Sequence, residues 1–242
     1  MFLLRDLDDP RRRLLVKLLA AGVFSSLPLS RALADILGEK PQKLPPERSI
    51  YRLSGQVSVD GKAATLQTRI NKNSTIETGK RSEVIFASGA SSFILRESSR
   101  MTLGQHSDNN TVVNALRLFS GKVLAVFAPK SPQRIETVTA TIGIRGTGVY
   151  AETDPEQTYF CTCYGVTDIN ANANPNEKKT VTAQHHDEPV YILANPKGGK
   201  SIRKAPFINH TDQELMLIET LVGREPPFVF PSEDYGGPRK DY

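Results

Sequence analysis

Short apolar segments that alternate with polar residues run through most of this chain and constrain its fold more than any other feature. The first of them, residues 51–59, ends at Asp60-Gly61, a dipeptide typical of tight hairpin turns because both positions tolerate a positive φ. Pairs containing glycine or asparagine divide the later segments in the same way, and helical spacing is almost absent before Thr211. The pattern predicts an all-β fold of many short strands, as in a sandwich, a barrel or a solenoid.

The sequence also predicts where the later strands lie and where one helix follows them. Thr211-Asp212-Gln213-Glu214 is typical of a capping box, in which the Thr side chain and the Glu carboxylate bind free N–H groups at a helix start. Gly223 is suited to end that helix, so we predict one short C-terminal helix packed on the strands. The predicted strands after the first hairpin are residues 84–87, 92–95, 116–119, 123–127, 134–139, 141–144, 148–152, 158–163, 180–184 and 190–193.

The first 34 residues have the order of an export signal: basic residues, an apolar stretch and then small residues. Arg12 and Arg13 begin a segment that resembles the twin-arginine signal, and Ala32 and Ala34 supply a cleavage site after Ala34. That route carries folded proteins, often ones that acquire a cofactor in the cytoplasm. The apolar stretch of about 16 residues is shorter than the ~20 that span a bilayer. A retained anchor and a first helix of the folded domain are the alternatives, and no transmembrane helix is expected after cleavage.

Charge does not indicate a nucleic-acid partner, although the whole chain has a net charge of +5. Residues 1–34 hold six basic and three acidic residues, so the remainder carries only +2. A second basic run, residues 197–204, contains no aromatic residue that could stack on a base. We therefore expect no nucleic-acid binding.

Residues 141–150, Thr-Ile-Gly-Ile-Arg-Gly-Thr-Gly-Val-Tyr, resemble the most recognisable segment of the FecR-type domain, which is known from regulators of ferric-citrate uptake. Residues 55–61, 76–83 and 118–123 resemble earlier segments of that domain, in the same order. The resemblance covers residues 49 to about 155. The predicted divisions of the chain are an export signal (1–34), a linker (35–48), a FecR-like β domain (49–155), a β extension (156–204), a segment with the helix and several prolines (205–230) and a disordered tail (231–242).

The resemblance implies a periplasmic, twisted stack of short strands, solenoid-like or sandwich-like, with no catalytic residues. Because related domains contact other proteins, it also implies a protein or cell-envelope partner. In the regulators a cytoplasmic segment binds a sigma factor and a membrane helix follows. Only about ten residues precede the arginines here, so we expect neither the anti-sigma nor the transmembrane part. The partner, the oligomeric state and any role in iron uptake stay open.

The Arg-Gly-Thr block, with Gly143, Arg145, Gly146 and Thr147, also has a physical interpretation that does not need the family. Its glycines, with Gly148, allow a bulge in a strand or a close approach between neighbouring strands. The Arg145 side chain can donate hydrogen bonds to carbonyl groups or to a carboxylate. We expect a structural role for this block, with ligand binding as the alternative.

Cys161 and Cys163 lie two residues apart in a predicted strand, so both sulfurs point to one face and a disulfide between them would be strained. One interpretation is two thiols packed in a β face. The other is a redox pair or a site for zinc, copper or iron, completed by His185, His186 or His210, because these metals accept thiolate and imidazole ligands. His185 and His186 would point to opposite faces of a strand. His210, next to the helix start, is more typical of a staple or a surface position.

Patterns for catalysis are weak. Residues 198–201, Gly-Gly-Lys-Ser, resemble the end of a phosphate-binding loop but lack its first glycine and the helix that should follow. No Gly-x-Ser-x-Gly elbow occurs, and no pair of acidic residues is arranged for acid–base chemistry. We therefore predict an exported interaction or scaffold module that is not an enzyme and holds no cofactor, with a metal-binding or redox protein as the alternative.

Overall fold

The computed structural model describes residues 41–108, 111–128 and 132–227 of the 242-residue chain. The predicted export signal, with Arg12, Arg13, Ala32 and Ala34, and the predicted tail at 231–242 lie outside these residues, so both stay predictions. In the part of the chain that is described, no helix combines the length and the apolar character needed to cross a membrane.

Strands dominate the described residues, which confirms the all-β prediction, and the one short helix near the C-terminus is also confirmed. The helix, α1, spans Asp212–Leu221. In chain order the strands are β1 (Ile50–Ser54), β2 (Val57–Val59), β3 (Lys62–Ala63), β4 (Thr75–Thr78), β5 (Glu83–Ser88), β6 (Ser91–Leu95), β7 (Arg100–Asp108), β8 (Thr111–Val126), β9 (Pro132–Glu136), β10 (Ala140–Thr153), β11 (Gln157–Ala171), β12 (Lys178–Ala183), β13 (Val190–Leu193) and β14 (Ile202–Lys204).

Hydrogen bonds connect these strands into one sheet with a side branch. Along the main path the order is β14-β13-β11-β10-β9-β8-β7-β4-β2-β3, and β12 pairs with β11. In the branch, β1 pairs with β5, β5 with β6, and β6 with β8. The predicted hairpin turn at Asp60-Gly61 joins β2 to β3, and its two residues have φ values of 52° and 75°, as a two-residue hairpin turn requires.

In two strands the structure joins segments that the sequence predicts as separate. β8 contains the predicted segment 116–119 and all but the last residue of 123–127, and β10 contains both 141–144 and 148–152. A glycine with positive φ lies between the two segments in each strand, Gly121 at 86° and Gly146 at 59°. At Gly121, β8 stops pairing with β7 and begins to pair with β10 and β6, and beside Gly146 the register between β10 and β11 shifts. These glycines therefore bend a continuous strand where the sequence predicts that one ends.

Apolar side chains form two buried clusters on this sheet. The larger cluster includes Ile76 and Leu118 and continues into β11, β12 and β13. The second cluster lies between the sheet and helix α1, whose Leu215 and Ile218 pack against Tyr150 and its neighbours. Residues 156–204 thus extend the sheet of residues 49–155, since β11 pairs along almost its whole length with β10.

Helix α1 begins with the predicted capping box. The Thr211 hydroxyl accepts a hydrogen bond from the Glu214 N–H, and the Glu214 carboxylate accepts one from the Thr211 N–H. Gly223, with φ of 75°, follows the helix as predicted. The buried Arg96 guanidinium donates to the Glu214 carboxylate at 2.9 Å, so the residue that caps the helix also attaches it to the sheet.

Candidate functional site

Two cysteines lie in the middle of β11. Cys161 and Cys163 are fully buried, and both thiols are free. Both belong to the apolar cluster between the sheet and helix α1. Because alternate residues of a strand point the same way, their sulfurs share one face, as the sequence predicts.

His186 approaches these sulfurs from the turn after β12. Its backbone N–H donates to the carbonyl oxygen of Cys163 at 2.8 Å, which holds the turn against β11. The imidazole is buried, and its Nδ1 lies 3.7 Å from the Sγ of Cys161. His185 is half-buried, and its Nε2 lies 3.0 Å from an Asp212 carboxylate oxygen. The expectation that the two histidines face opposite ways assumes a strand, and it does not apply in this turn.

His210 approaches from the other side, directly before the N-cap residue of α1. The sequence favours a staple or surface position for it, but the side chain is fully buried and stacks on the Tyr150 ring at a centroid distance of 4.5 Å. Its Nδ1 lies 2.7 Å from the carbonyl oxygen of Ile208, and its Nε2 lies 3.1 Å from the Nδ1 of His186. The surface prediction is therefore wrong, because the chain before the helix turns inward at this residue.

Four residues from three separate parts of the chain thus meet at one buried point. Cys161, Cys163, His186 and His210, here named the Cys/His cluster, place their sulfur and nitrogen atoms within 4.8 Å of one another. His185 does not belong to this group and instead joins His186 and Asp212 in an overlapping one. The sequence offered three histidines as partners for the cysteines, and the fold brings two of them to the sulfurs.

Asp212 supports this cluster from the first turn of helix α1. It is fully buried, and its Oδ1 lies 2.8 Å from the Nε2 of His186. Sequence reasoning missed this role, because an acidic residue at a helix N-terminus is ordinarily an exposed partner of the helix dipole. No local pattern distinguishes a buried carboxylate there from an exposed one.

The surroundings of the two thiols shift their pKa values in opposite directions. Burial raises the pKa of the Cys163 thiol, and the neighbouring Cys161 raises it further. Burial also opposes ionisation of Cys161, but hydrogen bonds from Cys163, His186 and His210 outweigh it and lower the pKa of Cys161 well below its usual range. The pKa of His186 is raised, because its contacts with Cys161 and Asp212 outweigh the effect of burial. The cluster therefore favours negative charge on sulfur beside a positive charge.

The Arg-Gly-Thr block lies in the middle of β10. Arg145 is exposed, and its guanidinium donates to the Asp168 carboxylate on β11 at 2.6 Å. Gly146 adopts a positive φ beside the shift in register, as a bulge requires, and Thr147 continues the strand. The sequence allows either carbonyl groups or a carboxylate as the partner of Arg145, and in the structure the partner is a carboxylate.

Gly148, in the same strand, lies directly beneath an aromatic ring. A Cβ atom at this position would lie 2.4 Å from the Cε1 of Tyr164 and 2.7 Å from its Cζ. At Gly143, by contrast, a Cβ would meet its nearest atom, the Cβ of Asp168, at 3.8 Å, which is an ordinary contact. The expectation of a close approach therefore applies to Gly148 and not to Gly143.

The exposed side of the sheet carries paired charges around one aromatic ring. On neighbouring strands, Arg100 bonds to Glu77 at 3.1 Å and Arg117 bonds to Glu136 at 2.9 Å. Phe119 is 41% exposed, and the guanidinium carbons of Arg100 and Arg117 lie 5.3 and 5.9 Å from its ring centroid. These five residues are named the charged face.

No protein-family model and no curated protein matches this chain. Among solved structures, it is similar to two crystal structures, each of a candidate anti-sigma factor from Parabacteroides distasonis. The first is 11% identical with a TM-score of 0.44, over 54% of this chain and 58% of the other. The second is 12% identical with a TM-score of 0.45, over 69% of this chain and 85% of the other. The chain thus spans less than two thirds of the first structure, and similarity at this level assigns no function.

Proposed function

We propose that this chain is an exported, periplasmic FecR-like module that is not an enzyme and acts by binding a protein or another envelope component. The arrangement of the segments that resemble the FecR-type domain supports this proposal. Residues 55–61, 76–83, 118–123 and 141–150 contribute to strands β2, β4, β8 and β10, which are neighbours in the sheet or are connected through β7. They also share the larger apolar cluster, as parts of one domain should.

The charged face is the observation that carries the proposal of a binding role. Aromatic residues and arginine are enriched at protein interfaces, where an exposed ring fills a pocket of the partner and guanidinium groups bind its polar atoms. Phe119 is one of the few large apolar side chains that the described residues leave exposed, and it lies between the Arg100 and Arg117 guanidiniums. Both arginines also contact carboxylates, so a partner meets a face with charges of both signs.

Site-specific photo-crosslinking tests this role. A photoreactive amino acid replaces Phe119 in one variant and Met216 in another, because Met216 is also 41% exposed but lies on helix α1. After irradiation of intact cells, we expect an adduct of defined mass from position 119 and little from position 216. Equal yields from both positions, or no adduct from 119, would refute the charged face as the binding surface.

Export is tested separately. We expect the periplasmic protein to begin at Asp35, which mass spectrometry of its intact N-terminus detects. Changing Arg12 and Arg13 together to Lys should keep the chain in the cytoplasm, because the twin-arginine route depends on that pair. A periplasmic protein that retains residues 1–34, or export that survives the double change, would contradict the proposed signal.

A further inference from the structure

Two imidazole nitrogens, the Nε2 of His210 and the Nδ1 of His186, face each other in the Cys/His cluster. The Ile208 carbonyl can only accept a hydrogen bond, so the hydrogen of neutral His210 lies on Nδ1 and a lone pair lies on Nε2. The Asp212 carboxylate likewise takes the hydrogen of His186 on Nε2, which leaves a lone pair on Nδ1. These two lone pairs lie 3.1 Å apart. A positive charge shared between them, from a proton or a metal ion, would hold the two nitrogens together.

The two cysteine sulfurs beside these nitrogens favour a metal ion over a proton as the shared positive charge. A proton joins two atoms, whereas four donors within 4.8 Å of one another can surround a single ion. In a tetrahedral zinc site with Zn–S of about 2.3 Å and Zn–N of about 2.0–2.1 Å, ligand atoms lie roughly 3.3–3.8 Å apart. The Sγ of Cys161 lies 3.7 Å from the Nδ1 of His186, which lies 3.1 Å from the Nε2 of His210. Small side-chain movements would therefore bring these atoms to the positions of a tetrahedral site.

We propose that Cys161, Cys163, His186 and His210 bind one Zn²⁺ ion in a closed tetrahedral site. The outer contacts match what such sites need: each ligating histidine donates its other ring N–H to a carboxylate or a backbone carbonyl, which fixes the ring. Two sulfur and two nitrogen ligands suit zinc. Its filled d shell imposes no other geometry, and structural zinc sites are almost always tetrahedral. The inference is independent of the proposed partner.

The role of this ion is structural. All four ligands are buried and they fill the tetrahedron, so no position is left for water or a substrate. The ligands come from β11, from the turn after β12 and from the residue before the cap of α1. One ion therefore fastens the C-terminal helix and the β12 turn to the sheet, at a place where the chain has no disulfide.

Metal analysis of the full chain tests the proposal. The protein is purified under reducing conditions, its zinc is measured by plasma mass spectrometry, and Co²⁺ then replaces zinc as a spectroscopic probe. We expect one zinc per chain, and visible Co²⁺ absorption of a tetrahedral site with thiolate charge-transfer bands. The proposal would be overturned if the purified protein contained no zinc and also showed no such absorption on titration with Co²⁺.

Matched variants identify the ligands. The double variant Cys161→Ser/Cys163→Ser should bind Co²⁺ at least tenfold more weakly, whereas His185→Ala should keep one ion per chain because His185 lies outside the four donors. Metal loss in His185→Ala with retention in the double variant would place the ion elsewhere and refute the site. If the double variant does not fold, X-ray absorption of the wild-type zinc protein decides: two sulfur and two nitrogen neighbours support the site, and any other set overturns it.

Discussion

Gly148→Ala is the substitution that tests the packing of the Arg-Gly-Thr block most directly. The added methyl would lie 2.4 Å from the Cε1 of Tyr164 and 2.7 Å from its Cζ, whereas carbon atoms in contact normally lie about 3.5–4.0 Å apart. The ring must therefore move by about 1 Å. Its hydroxyl donates to the Glu219 carboxylate, which also binds Arg224 at 2.6 Å, so the ring cannot move without breaking these contacts.

The cost follows from these contacts. Overpacking of a well-packed core costs about 1–3 kcal/mol, and the fixed Tyr164 ring places Gly148→Ala at the upper end, about 3 kcal/mol. For a domain of this size that corresponds to a fall in Tm of about 6–12 °C. Gly143→Ala is the matched control, because its new methyl meets only ordinary contacts and alanine lowers the entropy of the unfolded chain. It should change stability by less than about 1 kcal/mol.

Urea unfolding of the two variants and the wild type measures both values. A double variant, Gly148→Ala with Tyr164→Leu, adds a direct test of the proposed clash. Because leucine removes the ring, the two changes together should cost at least about 1 kcal/mol less than the sum of the single effects. The reasoning fails if Gly148→Ala is as stable as Gly143→Ala, or if the two effects simply add.

Three other side-chain changes and one change of signal have expected outcomes. Glu214→Ala should cost about 3 kcal/mol in urea unfolding, because it removes the carboxylate that the buried Arg96 faces together with half of the capping box. Arg145→Ala should cost less than about 1 kcal/mol, since its ion pair is exposed. Glu177 accepts hydrogen bonds from two backbone N–H groups at the start of β14, which lower its pKa. Glu177→Gln should therefore destabilise the protein slightly at pH 7, and this difference should vanish as the pH falls through the lowered pKa of the folded state. Replacing residues 1–34 by a signal for unfolded translocation should give periplasmic protein with little zinc by mass spectrometry.

The sequence predicts the strands well where their signals are local. The turn at Asp60-Gly61 and the capping box at Thr211 depend on neighbouring residues, and both are confirmed. Gly121 and Gly146 show where local reasoning fails. A glycine with positive φ is compatible with a turn or with a bend inside a strand, and the choice depends on which strands lie alongside.

The candidate site was predictable only in part, for a related reason. Cys161 and Cys163 share a face because strand geometry requires it, and imidazole is their natural partner in a metal site. Which histidines reach the sulfurs depends on contacts between segments that are distant in the chain. The spacing of residues along the sequence does not reveal such contacts. His186 arrives because its turn bonds to β11, and His210 because the chain before the helix turns inward.

The proposed zinc site and the proposed export route are linked by the chemistry of sulfur. In an oxidising compartment exposed thiols form disulfides, but Cys161 and Cys163 are too close in one strand for an unstrained bond. Metal binding protects such thiols, yet a site built from three distant segments exists only once the chain has folded. A chain that crossed the membrane unfolded would meet the oxidising side with its ligands scattered and unprotected. Transport of the folded protein would remove that hazard, because the proposed ion would be bound and buried in the reducing cytoplasm before the chain leaves it.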